Sequence, residues 1–586
     1  MQNETRQCQN CKKDFVIEPE DFKFYEKIKV PPPTFCSLCR AERRAAFRNE
    51  RKLFKVEDFF TKEKIFSLYP KDGGNKSVTE EEWFKDDWDA IDYAIDFDSS
   101  KTFLSQLFEL KKEVPVFSMR VEFMINSPYS ANASALKNSY LCFNSSHSED
   151  CMYGNAVDFC KDCIDNSHIS HSERCYESFW LQNCYQCYFS VMSSDSHNLY
   201  FSRDCLGCND CFGCVNLRKK SYCIFNKQYK KEQYDEEIKK MKLESFSGIS
   251  KALEKARSFW NTQPVKSHQG LKNLNSTGSY VTNCRNVNES FLMREGENIK
   301  YSQYLQVPKN KDCYDAFAWG ANMELQYETC LCGGNGFNIK FSDNCWPNCR
   351  NLEYCINMFS SSDCFGCVGL RKKQYCILNK QYKKEEYFEI IEKIKKHMDE
   401  KPYVDKKGRV YKYGEFFPIE FSTFGYNNTT AIQYFPLTRD IALENGYPWI
   451  EAERGEYAIT MEASDLNDSI DDVTENILKE VVKCSVCANP YRILENEFLF
   501  YKKEGLPIPR MCHDCRFDKR IQDRLKFELY ERQCMCAGGA DITGVYNNTV
   551  KHDHGVGECG EIFKTGYSRE RPEIVYCEKC YQQEVY

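Results

Sequence analysis

Two sets of paired cysteines carry the clearest chemistry in this 586-residue chain: Cys8/Cys11 with Cys36/Cys39 near its start, and Cys484/Cys487 with Cys512/Cys515 near its end. A Cys-x-x-Cys pair forms a tight knuckle that turns both sulfurs the same way. Two such pairs supply the four soft ligands of a tetrahedral zinc site, with Zn–S bonds of about 2.3 Å. The two sets align without a gap: the second pair begins 28 positions after the first in both. Between the pairs, Phe15-Val16-Ile17 matches Tyr491-Arg492-Ile493, Phe24-Tyr25 matches Phe500-Tyr501 and Pro31 matches Pro507, and Cys-x-x-Cys-Arg closes both.

A third constellation lies near the C-terminus: Cys534, Cys536, Cys559, Cys577 and Cys580, with His552 and His554 beside them. Cys577/Cys580 is a knuckle, but Cys559 has Val556 where a paired cysteine would stand. Zinc on Cys559, Cys577 and Cys580 with His554 is the favoured set; Cys534 or Cys536 are the other candidates for the fourth ligand.

These ligands need a hairpin and a helix to hold them. The spacing, with Pro31-Pro32-Pro33 ahead of the second pair, predicts a hairpin followed by a helix, the treble-clef arrangement. Phe517, Ile521, Leu525 and Leu529 repeat every fourth residue as the apolar stripe of such a helix. Arg516, Arg520 and Arg524 fall on another face, as do Arg40, Arg44, Arg48 and Arg51 in the first module. Read as open basic faces, they are expected to contact phosphates of RNA or DNA through Arg40, Arg44, Arg48, Arg516, Arg520 and Arg524. The plainer reading is a solvated face paired in part with Glu42, Glu50 and Asp518.

The middle of the chain is internally duplicated. Cys211 through Tyr234 recurs at Cys364 through Tyr387, and cysteines recur every 21 residues at Cys142, Cys163, Cys184 and Cys205, with Cys187 and Cys208 in a second column. A period near 21, rich in Cys, Asn, Ser and aromatics, predicts a parallel β-solenoid in which like residues stack. Cys205, Cys208, Cys211 and Cys214 are spaced like a metal signature, but as members of these columns they read as core. Gln228–Lys242 and Gln381–His397 are expected to be helices capping the coils.

The resulting division is a treble-clef zinc module over 1–52, a mixed helix and loop segment over 53–133 pinned by Trp83 and Trp88, and solenoid copies over 134–226 and 276–380. A capping helix and linker fill 227–275, a capping helix and short strands 381–461, and an acidic linker 462–480. A second treble clef over 481–530 and a zinc ribbon over 531–586 follow. The fold class is therefore α+β and multidomain, with zinc modules at both ends flanking a duplicated cysteine-rich β-solenoid.

Composition narrows the function. The chain has 35 cysteines, an odd number that does not suit a closed disulfide framework. With no apolar leader after Met1 and no long apolar run, a cytoplasmic, reducing home is expected. The formal charge is −7, and zinc-bound thiolates would carry it to about −12. Whole-chain attraction to nucleic acid is thereby disfavoured, leaving only local basic patches. Signatures for dinucleotide, P-loop, serine-hydrolase and zinc-protease chemistry are missing. His168 and His171 read as buried or turn residues. Asp150, Asp162, Asp165 and Asp204 fall near coil turns, which keeps a carbohydrate-active solenoid as a minor alternative.

The chain resembles a family of uncharacterised multi-zinc-ribbon proteins from genome-reduced candidate-phyla bacteria. The resemblance rests on the Cys8–Arg40 module with Arg43–Glu50, the segment Trp88–Asp98, the Tyr-Cys-Ile-x-Asn-Lys-Gln-Tyr repeats and Arg571–Tyr581. The end modules are also similar to small zinc-ribbon domains found in many bacteria. The resemblance implies zinc and a shared architecture, and no activity. The expectation is a zinc-binding, non-enzymatic scaffold that contacts nucleic acid or a ribonucleoprotein; a purely protein-binding scaffold is the alternative.

Overall fold

The computed structural model describes residues 2–451 and 457–586. The chain divides into two compact units, each assembled from separated stretches. One takes Met1–Met119, His268–Ile450 and Leu525–Tyr530; the other takes Arg120–Ser267, Glu451–Arg524 and Glu531–Tyr586. Each unit thus combines one solenoid copy with the cysteine module from the opposite end of the sequence.

The β-solenoid is present in both units, but its coil is not 21 residues long. In the solenoid of the second unit every parallel bridge joins residues twelve apart, such as Ala131 to Phe143, Phe143 to Asn155 and Tyr176 to Tyr188. In the first unit the coil takes 11 residues at its start, between Leu274 and Arg285, and 12 to 14 thereafter, as in Arg350 to Ser362, Asn310 to Met323 and Gly296 to Asn310. The underlying unit is a triplet. From Phe123 to Phe225 every third residue has positive φ, including Asn138, Asn144, Asp150, Asp165, Glu177 and Trp180. Four such triplets make four short sides separated by four left-handed corners.

This geometry accounts for the composition. Left-handed backbone costs a non-glycine residue roughly 1–2 kcal/mol, least for Asn and Asp. Corner Asn and Asp side chains also bond from coil to coil, as from Asn138 to Asp150 and from Asn335 to Asn348. The residue after each corner points inward, and the twelve-residue coil fills mostly with small side chains, with Leu136, Val157, Ile169, Leu181 and Leu199 among them. Cys142, Ser145, Ser148, Cys151, Cys175, Ser178, Cys187 and Ser190 are all buried there. Ser and Cys have a second role. Two amides of each triplet join the inter-coil ladder, as Phe143 N–H to Gly154 O and Ala156 N–H to Phe143 O. The inward residue's amide instead donates to the inward side chain twelve positions earlier: Cys142 N to Ser130 Oγ, Val157 N to Ser145 Oγ and Cys214 N to Ser202 Oγ. The columns are therefore both core and hydrogen-bond acceptors.

The apparent period of 21 follows from this arrangement. It combines one full coil of twelve with three sides of nine, so Cys142 and Cys163 both point inward but from different sides.

Each solenoid ends in the same cap. Ser221–Ile224 turns back on Lys227–Gln228, and Gln374–Ile377 on Lys380–Gln381. Asn226 and Asn379 use their side-chain amides to pair with both backbone groups of Val215 and Val368, standing in for a missing coil. Helices Lys231–Lys240 and Lys384–Glu400 follow, as expected, and set Tyr234 and Tyr387 against Tyr222 and Tyr375.

Of the expected mixed segment 53–133, residues from Arg120 on belong to the second unit and already form solenoid coils; in the first unit it begins with a hairpin, Phe54–Glu57 against Lys64–Ser67, that copies the cysteine knuckle with Asp58 in place of Cys8. The Asp58 carboxylate accepts the amides of Phe60, Thr61 and Thr79. Trp83 is wholly buried, and Phe103 from helix Phe103–Glu113 packs on Phe365 at 5.1 Å. Gly366, at φ 63°, admits Phe103; a Cβ there would lie 2.4 Å from the ring. Among the described residues of 401–460, the expected short strands are Tyr403–Val404 and Val410–Tyr411, with short helices after them; residues 452–456 of that stretch lie outside the described residues. Residues 462–480 are not a solvated linker. Ala463, Leu466, Ile470, Val473 and Ile477, three or four apart, are buried in one apolar cluster with Phe498, Tyr501 and Ile508 of the second cysteine module. The intervening Asp and Glu face outward. Among the described residues, no helix is long and apolar enough to cross a membrane.

Candidate metal centres

In the first module the hairpin Glu4–Gln7/Asp14–Ile17 delivers Cys8 and Cys11. Cys36 is the N-cap of helix Ser37–Ala45, and Cys39 sits in its first turn. The second module repeats this with Val482–Lys483/Pro490–Tyr491 and Cys512 capping His513–Gln522. All four sulfurs in each set lie within 4.8 Å of one another. The Cys11 and Cys36 sulfurs lie 3.8 Å apart, and those of Cys487 and Cys512 3.7 Å. A tetrahedron with bonds of about 2.3 Å has an edge of about 3.8 Å. The donor sets therefore fit a tetrathiolate metal ion.

The backbone prepares these sulfurs to carry charge. Cys36 N–H donates to Cys8 Sγ, and Cys512 N–H to Cys484 Sγ, both at 3.3 Å. Hydrogen bonds from Cys36 and Cys39 hold the Cys8 thiol far below its ordinary pKa. Burial works against the Cys484 thiolate, but amides of Cys487, Cys512 and Val486 bring its pKa down to about 7.

At the C-terminus, Cys577 caps helix Glu578–Val585 and Cys580 lies in its first turn. Cys559 and Cys534 join them, so that Cys534, Cys559, Cys577 and Cys580 form a fully buried four-sulfur group. Cys577 N–H donates to Cys534 Sγ at 3.2 Å, and hydrogen bonds from Cys534 and Cys580 lower the Cys577 pKa to about 2. The fourth position beside Cys559, Cys577 and Cys580 is thus filled by Cys534. His554 belongs to an adjoining group with Cys536, His552 and Cys580. Cys536 is one of the alternative ligands named from the sequence, and of this group His552 alone was not expected; the alternation Cys534-x-Cys536 and His552-x-His554 was the available signal.

The arginines are not open basic faces. Arg40, Arg44, Arg48, Arg516, Arg520 and Arg524 are each at most 9% exposed. In the first unit Arg40 and Arg44 grip Asp315 at 2.8 and 3.1 Å, while Arg43 and Arg44 grip Glu328 at 2.9 and 3.1 Å. Arg48 pairs with Glu50 at 2.7 Å. In the second unit Arg516 and Arg520 hold Asp165 at 2.7 and 3.3 Å, and Arg520 also holds Glu177 at 3.0 Å. In both cases the acids are left-handed corner residues of successive coils. Equivalent aromatics complete each dock: Tyr25 on Tyr327 at 5.3 Å, and Tyr501 on Tyr176 at 5.6 Å. The expected phosphate contact through these six arginines is corrected accordingly: all six lie inside the protein, and Arg40, Arg44, Arg48, Arg516 and Arg520 are ion-paired to carboxylates, which leaves no open basic face for a phosphate.

The other singled-out residues have structural employment. Cys205, Cys208, Cys211 and Cys214 are four consecutive inward positions, and each thiol donates to the carbonyl two residues before it. His168 is buried against Phe179, and His171 stacks on Phe159 at 4.8 Å. Asp150 accepts from Asn138, Asp162 lies 3.5 Å from Lys503, Asp165 is in the arginine clamp, and Asp204 pairs with Arg218.

The first unit also carries an open groove of about 840 Å³ along its solenoid, lined in part by Arg285, Glu297, Lys311, Glu324, Phe337 and Arg350. These six are direct ladder neighbours in that order, so charge alternates from coil to coil before Phe337 and Arg350 close the row.

Compared with known proteins, the chain matches no family model and no curated sequence.

Proposed function

We propose that this protein is a zinc-braced, non-enzymatic scaffold of a reducing compartment, and that its binding partner is a protein rather than a nucleic acid. Zinc suits the donor sets, since all-sulfur and sulfur–imidazole tetrahedra are its usual structural ligands. None of the 35 cysteines is paired in a disulfide, which suits a cytoplasmic setting. The observation that carries the partner is the mixed charge of the solenoid groove: Arg285, Lys311 and Arg350 alternate with Glu297 and Glu324. A phosphate backbone offers one sign of charge and would be repelled by every second rung, whereas a polypeptide can match both. The cysteine modules then act as clasps that tie distant chain segments to the solenoid.

The test is an affinity capture of the tagged full-length protein from native cells, with and without nuclease. A protein partner that survives nuclease and is lost from a Lys311→Glu/Glu324→Lys variant supports the reading. Co-purifying RNA or DNA, with retention that falls steeply with salt, overturns it in favour of a nucleic-acid partner.

A further inference from the structure

The C-terminal module holds more ligands than one metal ion can use. Around Cys536 Sγ, His552 Nδ1 stands at 3.0 Å and His554 Nε2 at 3.2 Å, and Cys580 completes a group within 4.8 Å. Two imidazole nitrogens converging on one sulfur is a poor hydrogen-bond arrangement, because a thiol has a single weak hydrogen to give. It is a good arrangement around a shared cation, toward which imidazole nitrogens and a thiolate all direct lone pairs.

The surroundings match that interpretation. His552 Nε2 is 2.8 Å from Glu584 Oε1, and both side chains are fully shielded from solvent. A carboxylate behind the distal nitrogen fixes the tautomer and ring orientation of a metal-bound histidine. Glu584 is in turn held by the amide and hydroxyl of Thr549 and by the Tyr546 hydroxyl. Cys536 Sγ accepts from Asn548 Nδ2 at 3.2 Å and from the Gly538 amide at 3.5 Å, as a thiolate does.

We propose that Cys536, His552, His554 and Cys580 bind a second zinc ion in this module, and that the Cys580 thiolate bridges it to the ion on Cys534, Cys559 and Cys577. Five thiolates and two neutral imidazoles around two Zn²⁺ leave a net charge of −1, less than the −2 of an isolated tetrathiolate site. The inference rests on the zinc reading of the three cysteine modules and adds a fourth ion to it.

The experiment is metal analysis of the purified full-length chain, paired with cobalt substitution. Wild type should hold four zinc ions per chain, and the His552→Ala/His554→Ala variant three. The single variant His554→Ala changes an exposed side chain and guards against misfolding; it should weaken one ion only, releasing it to a chelator before the rest. Two Co²⁺ ions sharing a thiolate are spin-coupled, so the fully loaded wild type should show less high-spin resonance signal than its cobalt content implies. The double variant should recover the full signal for its three ions. Three zinc ions in wild type and in the double variant alike overturn the second ion while leaving the three-module reading intact. Four ions with uncoupled cobalt overturn the bridge. Fewer than three ions in wild type overturn the zinc reading as a whole.

Discussion

The clamp between helix Ser37–Ala45 and its solenoid can be tested at Glu328. This carboxylate is wholly buried and lies 2.9 Å from Arg43, 3.1 Å from Arg44 and 3.5 Å from Arg40. Burial alone would raise its pKa, but the charges of Arg43, Arg44 and Arg40 more than offset this and leave it below the ordinary value. Glu328→Gln keeps the shape and removes the charge, leaving three guanidiniums to share Asp315 and Glu415. Breaking a buried ion pair from one side costs roughly 3–5 kcal/mol. That is a large part of the 5–15 kcal/mol by which domains of ordinary size are stable. The control is Glu389→Gln, which breaks an exposed Glu–Lys pair on helix Lys384–Glu400 and should change stability by less than about 0.5 kcal/mol. Urea unfolding of both variants, with hydrogen exchange across Ser37–Ala45, provides the readout. Glu328→Gln should lower the midpoint and strip protection from that helix. Because the folded pKa is depressed, the contribution is present above the unfolded carboxylate range and fades as pH falls through the folded value, so the difference from wild type should shrink in acid. If Glu328→Gln behaves like Glu389→Gln, the clamp does not hold the module on the solenoid.

Three further outcomes follow from the same structure. Ser190 Oγ accepts the Ser202 amide at 3.3 Å, so Ser190→Ala should cost about 1–3 kcal/mol and expose that amide to exchange, while Ser190→Cys should cost less; equal effects would refute the acceptor role of the inward column. Burial pushes the carboxyl of half-buried Asp343 up to about 7 against the opposing charge of Lys111. The first unit should therefore lose stability as pH rises from about 4 toward 7, and Asp343→Asn should flatten that part of a urea-midpoint profile. Chelation, or Cys36→Ser with Cys39→Ser, should release helix Ser37–Ala45 to exchange while the far-ultraviolet circular dichroism of the solenoid persists; a cooperative loss of both would show that the coils depend on the metal.

The cysteine modules were legible because bringing four sulfurs together from two Cys-x-x-Cys knuckles imposes spacing directly on sequence: the gap-free match of Cys8–Arg40 with Cys484–Arg516 required no knowledge of tertiary structure. The solenoid was legible as a class and misread in pitch. Its signal is a three-residue alternation of corner, inward and outward positions, and cysteine marks only some inward positions. Columns such as Cys142, Cys163 and Cys184 therefore join different sides of different coils. The arginine faces failed for a reason sequence does not carry. A helical row of Arg40 and Arg44 has the same pattern whether it meets water, phosphate or the carboxylates of Asp315 and Glu328, which lie 271 to 288 positions away. The acidic stretch 462–480 misled because its charges outnumber the five apolar residues that decide where it lies. The linkage of Cys536 and His552 to Glu584 was hidden because a carboxylate partner leaves no fixed spacing.

The triplet also governs how such a sequence can change in length. Adding or removing twelve residues adds or removes one coil and keeps every side chain facing as before. A single inserted residue shifts the frame, turning a corner Asn inward and an inward Ser outward in all later coils unless it is absorbed at once. The first unit shows where absorption occurs: between Gly296 and Asn310, and between Gln303 and Phe317, the coil widens to fourteen and then returns to twelve by Arg350. Those widened coils carry Asp315, and the thirteen-residue coil after them carries Glu328. The extra residues therefore fall where the arginine helix docks. The widest coils thus lie at the latitude of the clasp, the coils that follow as far as Ile356 keep a thirteenth residue, and the solenoid of the second unit is read in threes throughout.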